Sequence, residues 1–375
     1  MKHYLDNSAT TQVSNTAAQK ALDIMCNIYG NPSSLHTMGI EAEKELETAR
    51  SIITKTIGCE CDELFFTSGG TEANNTAILG TVKALKRRGN KIVTSAIEHS
   101  SIMESMAYLE NEGFQVTYLT PDENGVIPMD KIKEAVDDKT ILVSVMMTNN
   151  EVGSINDIAK IRKIVTAKKS PALIHTDAVQ AFGKLNIKVK KLDVDLMTIS
   201  SHKIHGPKGV GALYIKKGKR ILPIHFGGEQ EKKIRPGTEA LPLIGAFGVA
   251  VSELEIDKNY QLVQELNDYA KAKLSSIDSV TLNSKDNALP YILNISVKGI
   301  RSETMLHHLA QNNVYVSSGS ACAKGKPSHV LSAMGVSRDS ADSALRISFS
   351  KLNTKDDIDA LVEHIIEGIE NLAKK

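Results

Sequence analysis

Apolar and polar positions along this chain follow two periods, and the two periods take turns. Between about residues 60 and 215, short apolar or β-branched runs stand at Glu63–Thr67, Lys91–Ser95, Gln115–Leu119, Ile141–Met147, Ala172–His175, Asp195–Ser200 and Gly211–Ile215. Amphipathic stretches of helical spacing separate them, among them Thr71–Arg88, Met129–Asp137 and Ile155–Lys168. Strands joined through helices predict βαβ crossovers, and these place helices on both faces of a mostly parallel sheet. Ligands in such sheets bind beyond the carboxyl ends of the strands. After about residue 240 the texture changes. A long helical region rich in Glu, Gln, Lys and Leu covers Leu254–Leu274, and helices are predicted at Ser302–Gln311 and Lys355–Leu372. Short strands fall at Val280–Leu282, Ile292–Val297, Val314–Ser317 and Leu345–Phe349. The expected organisation is a large α/β domain over residues 13–250 and a smaller α+β domain over 251–375, which also takes in the N-terminal arm 1–12.

Composition narrows the function class. A length of 375 residues leaves room for two domains. The 45 Lys+Arg nearly cancel the 44 Asp+Glu, so a dedicated nucleic-acid binder, which would be basic, is not expected. Hydrophobic and charged contents of 41% and 24% exclude wholesale disorder. No apolar run approaches the roughly 18–20 residues of a membrane span. The opening MKHYLDNSATT puts Asp6 where a secretory signal would have its apolar core. Four cysteines, Cys26, Cys59, Cys61 and Cys322, are too few and too scattered for a disulfide framework. That cysteine usage fits a reducing compartment; the expectation is a cytoplasmic enzyme with no membrane and no direct nucleic-acid partner.

Three segments at predicted strand ends carry candidate chemistry. Thr67-Ser68-Gly69-Gly70-Thr71-Glu72-Ala73-Asn74-Asn75 follows an apolar strand and leads into a helix. Its glycines permit a tight turn, and the helix start offers free N–H groups and a positive dipole end to a phosphate. An ordinary strand–helix turn capped by threonine is the alternative. Asp177, in His175-Thr176-Asp177-Ala178-Val179-Gln180, stands just past an apolar strand. An acid there suits a metal ligand, a base, the partner of a cationic ring nitrogen, or simply a helix cap. Ser200-Ser201-His202-Lys203-Ile204-His205-Gly206-Pro207 follows the next strand. Neighbouring parallel strands bring Asp177 and Lys203 to one crevice, although a solvated loop cation is the commonest fate of a lysine. His202 and His205 have no carboxylate or cysteine at metal-ligand spacing. A phosphate cradle, a carboxylate and a constrained lysine on one sheet edge together suit pyridoxal 5'-phosphate: the lysine forms a Schiff base, and the carboxylate keeps the ring nitrogen protonated.

These segments resemble the class V aminotransferase branch of fold-type I pyridoxal-phosphate enzymes, and within it the NifS/IscS-type cysteine desulfurases. The resemblance runs through YLDNSATT at the start, GNPSSLH at 30–36, TSGGTEANN, EHSSI at 98–102 and TNNEVG at 148–153. It continues through HTDAVQ, SSHKIHGPKGVGALYI, RPGT at 235–238, SSGSAC at 317–322 and LRISFS at 345–350. It implies that Lys203 carries the cofactor, Asp177 faces the pyridine nitrogen, Gln180 bonds the ring hydroxyl and His99 stacks on the ring. Gly70, Thr71, Ser200 and His202 would hold the phosphate. Thr238 would reach the phosphate of a neighbouring subunit, which implies a homodimer with shared active sites. Asn150 and Arg346 would hold the carboxylate of the substrate, L-cysteine, for which a forked guanidinium is suited.

A lone cysteine is more often a small buried hydrophobe than a nucleophile. Within SSGSAC, the resemblance makes Cys322 the thiolate that takes sulfur from the substrate as a persulfide, with Lys324 or Lys326 near enough in sequence to lower its pKa. A sulfur-acceptor protein would collect it, for iron–sulfur cluster assembly or tRNA thiolation. The rival activities are selenocysteine lyase, another class V aminotransferase-type reaction, or a silent sulfur-carrier or scaffold subunit. Cys59 and Cys61 read as turn residues, and Cys26 as partly buried packing on a helix. Departures from the family pattern, the short Ala323–Pro327 stretch and an end at Lys375, leave the acceptor open.

Overall fold

The alternating apolar runs of the first half meet in one seven-stranded sheet. In a computed structural model that describes residues 1–318 and 328–372, the chain begins with β1 (His3–Tyr4). The large sheet then takes β2 (Leu64–Thr67), β3 (Lys91–Ser95), β4 (Gln115–Leu119), β5 (Thr140–Ser144), β6 (Leu173–Asp177), β7 (Leu196–Ser200) and β8 (Gly211–Ile215). Their order is β2-β8-β7-β6-β5-β3-β4. The pairs from β4 through β7 are parallel, and β8 is antiparallel to both β7 and β2. Residues β5 to β8 are buried along their whole length, as burial on both faces demands. Successive side chains point to opposite faces. Phe65, Leu173, Leu196 and Leu213 accordingly join Ala73 and Ala77 of helix Gly70–Leu85 on one face. Phe66, Ile174, Met197 and Ala212 join a larger cluster on the other, with Ala49 and Ile53 of helix Thr37–Ile57 and Phe247 of helix Leu241–Ser252.

The second half supplies β9 (Val280–Leu282), β10 (Ile292–Val297), β11 (Val314–Tyr315), β12 (Ser317–Ser318) and β13 (Ala344–Ser348). Four of these form an antiparallel sheet in the order β12-β13-β10-β9. It packs with helices Ile256–Ser275, Ser302–Gln311 and Lys355–Asn371 around Leu293, Ile295, Ile347, Ile358 and Leu361. The N-terminal arm belongs to this cluster: β1 pairs in parallel with β11, Leu5 is fully buried there, and Asp6 bridges to Ser348. Among the described residues, no helix is long and apolar enough to cross a membrane.

Three local differences from the sequence expectations have clear causes. The run at Ile141–Met147 is a strand only over Thr140–Ser144, because the Met146 N–H is taken by the Glu98 carboxylate at 2.8 Å. The helix expected over Ile155–Lys168 begins only with a tight turn at Ile158–Lys160, since Ile155 bridges back to Thr148 and Asn156 N bonds Met147 O. Cys26 is exposed on helix Asn15–Asn27 rather than packed.

Candidate active site

The site lies where the carboxyl ends of β2, β6 and β7 meet the N-terminal arm. At the first of these, β2 runs into Ser68-Gly69 and helix Gly70–Leu85, whose cap residue is Gly69 with no side chain capping the helix. The threonine cap is therefore not adopted: Thr71 sits in the first turn, exposed. The uncapped start leaves N–H groups and the positive dipole end free for an anion. A Cβ on Gly211 of β8 would lie 2.9 Å from Gly69 Cα, so the close passage of this loop over the sheet requires glycine there. Ser68 N donates to Glu72 Oε2 at 2.7 Å, and Arg235 Nε donates to Glu72 Oε1 at 3.0 Å. Burial works to raise the Glu72 pKa, but the bonds from Ser68 and Arg235 outweigh it and hold the carboxyl below its usual range. This clamp brings the segment 235–238 to the loop, with Thr238 exposed on it. Ser200, the last residue of β7, and Ser201 after it have buried hydroxyls without a partner among the described residues.

Asp177 is the final residue of β6 rather than a residue beyond it, and it is buried. Its Oδ1 accepts from Val179 N at 2.9 Å and its Oδ2 from Asn74 Nδ2 at 2.8 Å. Asn74 lies one helical turn into Gly70–Leu85 and also donates to Ser101 Oγ at 2.9 Å. Ser101 reaches His99: its N–H donates to Nδ1 at 3.1 Å, and its Oγ stands 2.8 Å from the same nitrogen. With Nδ1 accepting from a backbone N–H, the ring proton belongs on Nε2. Burial lowers the His99 pKa; Asp177 opposes this, while Lys203 and His329 reinforce it. A neutral ring is thus held in one orientation, and it lines a cleft together with Thr71.

Lys203 stands in the short turn after β7, the strand next to Asp177. Its Nζ donates to Ala9 O at 2.8 Å and also to Ser8 O. Gln180 Nε2 donates to the same Ser8 carbonyl at 3.0 Å. His202 Nδ1 is 3.3 Å from Thr10 Oγ1, and burial, helped by Lys203, brings its pKa down to about 4. From the small sheet, Arg346 on β13 donates through Nη2 to Asp6 Oδ1 at 2.9 Å and through Nη1 to Asn150 O at 3.1 Å. Its Nε is buried with no partner among the described residues, an open donor on a guanidinium edge.

The geometry therefore gathers Gly70, Thr71, His99, Asn150, Asp177, Gln180, Ser200, His202, Lys203 and Arg346 around one edge. Thr238 is joined to it only through the Arg235–Glu72 clamp, and Cys322 lies outside the described residues. Asn74, Ser101 and the Ser8 and Ala9 carbonyls were missed from sequence. Asn74 had a signal, being four residues after Gly70 and so on the same helix face. Backbone carbonyls have none.

An uncapped helix start, orphaned buried hydroxyls, a buried carboxylate and a lysine amine together fit a phosphorylated pyridine aldehyde, and no group of three metal-ligating side chains occurs among the described residues. The fold and edge define a class of pyridoxal-phosphate-dependent enzymes. Residues 3–361 match the aminotransferase class-V family, and the chain belongs to it. It is 40% identical over 374 residues to cysteine desulfurase IscS of Methanosarcina thermophila, covering 98% of this chain and 92% of that protein. A solved NifS-like protein superposes with a TM-score of 0.94 at 36% identity, covering 99% of this chain and all of that one, 100%. SspA, solved in complex with cysteine, gives a TM-score of 0.84 at 33% identity over 94% of this chain and 100% of its own. Pyridoxal phosphate is the cofactor of this protein.

Proposed function

We propose that this protein is a cysteine desulfurase, converting L-cysteine to L-alanine and keeping the sulfur on Cys322 for delivery to an acceptor protein. One observation carries the reading beyond cofactor binding: the buried, open Nε of Arg346, whose other nitrogens are held by Asp6 and Asn150, offers an amino acid's carboxylate a guanidinium edge. Full-length likeness to proteins named cysteine desulfurase supports the choice of amino acid.

Gly70, Thr71, Ser200 and His202 would hold the cofactor phosphate, and each subunit's Thr238 would serve its neighbour in a homodimer. Asp177 would pair with the ring nitrogen, His99 would cover the ring, and Gln180 would bond the ring oxygen. Pyridoxal phosphate, when bound, supplies the sink for electrons leaving the substrate α-carbon. Lys203 takes and returns the proton at that carbon. Arg346, with Asn150, fixes the substrate carboxylate. The Cys322 thiolate then attacks the substrate sulfur: an S–S bond forms, the Cβ–S bond breaks, its electron pair stays with Cβ, and Cβ gains the proton that completes L-alanine. Residues 13–250 serve as the cofactor domain, and 251–375 with arm 1–12 as the domain bearing Cys322. The acceptor is an iron–sulfur scaffold or a tRNA-thiolation enzyme, and the compartment is the cytoplasm.

The test is reaction with L-cysteine followed by mass measurement of the Cys322 peptide. One added sulfur is expected, and Cys322→Ala should keep the cofactor absorbance but form no persulfide. Undiminished persulfide in that variant would overturn the role of Cys322.

A further inference from the structure

Behind the reactive edge lies a second lysine that the proposed reaction does not use. Lys184 is 5% exposed, in the apolar stretch Ala181-Phe182-Gly183-Lys184-Leu185. Lysine is almost never buried to this degree without a partner. Its Nζ donates to Gln180 Oε1 at 3.1 Å and lies 5.4 Å from the centre of the Tyr291 ring. No carboxylate makes an ion pair with it among the described residues. A water-sized cavity lined by Asn7, Lys184, Lys203, Tyr291 and Ser350 adjoins it.

The bond to Gln180 has a geometric consequence. In its ammonium form Lys184 has donors only, which holds the carboxamide oxygen toward it, as the 3.1 Å bond shows. The carboxamide NH2 then faces the opposite way, with one hydrogen on Ser8 O, the carbonyl that also accepts from Lys203. Its second hydrogen remains for an acceptor on the cofactor side. We propose that Lys184 is a positioning residue for the cofactor: it locks the Gln180 carboxamide with NH2 toward the cofactor ring oxygen. This rests on Gln180 facing that oxygen, as in the proposed function, and deepens it.

The charge of Lys184 acts in the same direction. The titratable and charged groups that face it are Lys203, His202 and His205 from the loop after β7, Arg346 from β13, and the Tyr291 phenol ahead of β10. Burial first, then Lys203 and Arg346, bring its pKa down to about 7. Lys203 and Arg346, the charged groups that depress it, are cations, and a bound ligand bearing a phosphate and a ring oxygen anion would favour the ammonium form.

The experiment is a double-mutant cycle on the holoenzyme: the native protein, Lys184→Met, Gln180→Ala and the pair. It follows loss of bound cofactor by visible absorbance in the presence of an excess of a carbonyl scavenger. Lys184→Met should speed that loss about tenfold, and add less than about twofold once Gln180 is already alanine. A tenfold effect in both backgrounds, or none in either, overturns the proposal. Lys184→Arg keeps donor and charge; it should stay within about twofold of native. Loss as fast as in Lys184→Met would assign Lys184 to packing alone and overturn the proposal. Because the cycle reads cofactor retention, failure of cysteine turnover or of persulfide formation leaves its outcome interpretable.

Discussion

The segment that carries Thr238 should be unseated by breaking one buried ion pair. Arg50, on helix Thr37–Ile57, reaches Glu231 through Nη2 at 2.7 Å and Nη1 at 3.1 Å, and both residues are buried. Nη1 also donates to Leu64 O at 2.6 Å, while Phe66 N donates to Glu231 Oε2 at 2.7 Å. Burial alone would lower the guanidinium's pKa, but Glu231, and then Glu47, raise it above its ordinary value. The pair holds a strained backbone: Glu231, Lys232 and Lys233 have φ of 46°, 52° and 68°, and left-handed geometry costs roughly 1–2 kcal/mol per residue. Glu231→Ala leaves Arg50 buried with only the half-exposed Glu47 as its carboxylate partner, a loss of about 3–5 kcal/mol. For 375 residues the unfolding entropy is about 0.8 kcal/mol/K, so Tm should fall by about 4–6 °C in a calorimetric scan. Arg50→Met combined with Glu231→Gln removes both charges and keeps an acceptor for Phe66 N; its Tm should fall by only about 1–2 °C. If the double variant is as unstable as Glu231→Ala, the unpaired charge is not the cost and the reasoning fails.

Two further outcomes follow from the site. Glu98 is fully buried, and burial, augmented by Asp177 and opposed by bonds from Ser95 and Met146, pushes its pKa from 4.5 up to about 8. The native state therefore keeps a proton that the unfolded chain releases, so this stability is fully present below pH 4.5 and is lost as pH rises to about 8; thermal scans of Glu98→Gln should show a flatter pH dependence and a gain over native at pH 8–9, and parallel curves would refute the assignment. Arg346→Lys replaces the guanidinium edge with a point charge; KM for L-cysteine should rise about 30-fold with kcat changed only a few-fold, and an unchanged KM would remove Arg346 from substrate binding.

What the sequence made legible divides along physical lines. The large sheet could be read because β5 to β8 are buried on both faces and so appear as short runs rich in apolar and β-branched residues. The loop at Gly69-Gly70 was visible because its glycines and the helix after it are adjacent in sequence. Asp177 was visible because it ends a strand, and Lys203 because it stands in the turn directly after the next one. Partners far apart in sequence were not visible: Asn74 and Asp177 are 103 residues apart, Asp6 and Arg346 are 340. Lys184 left only a negative trace, a charge amid apolar residues, and without the fold that pattern cannot be told from a surface lysine. Arg50 and Glu231 had no local signal, since salt-bridging and solvated residues look alike in a linear pattern.

The N-terminal arm shows how these distant pairs depend on one another. Asp6 holds Arg346, while the carbonyls of Ser8 and Ala9 hold Lys203, and that of Ser8 also holds Gln180. Groups from both sheets thus meet on four consecutive residues. Replacing the side chain at Ser8 or Ala9 leaves a carbonyl in place, so the arm's contribution lies in its path. That path is fixed from the small sheet: Asn7 donates to Ser348 O at 2.9 Å and Asn353 Oδ1 at 3.2 Å, and Ser8 N donates to Ser348 Oγ at 2.8 Å. Ser348 lies two residues from Arg346 on the same strand, β13, and so on the same face. A shift of β13 would therefore move Arg346 and the acceptors of Lys203 together, which couples the proposed carboxylate donor to the position of the proposed catalytic lysine through one strand and one strap of backbone.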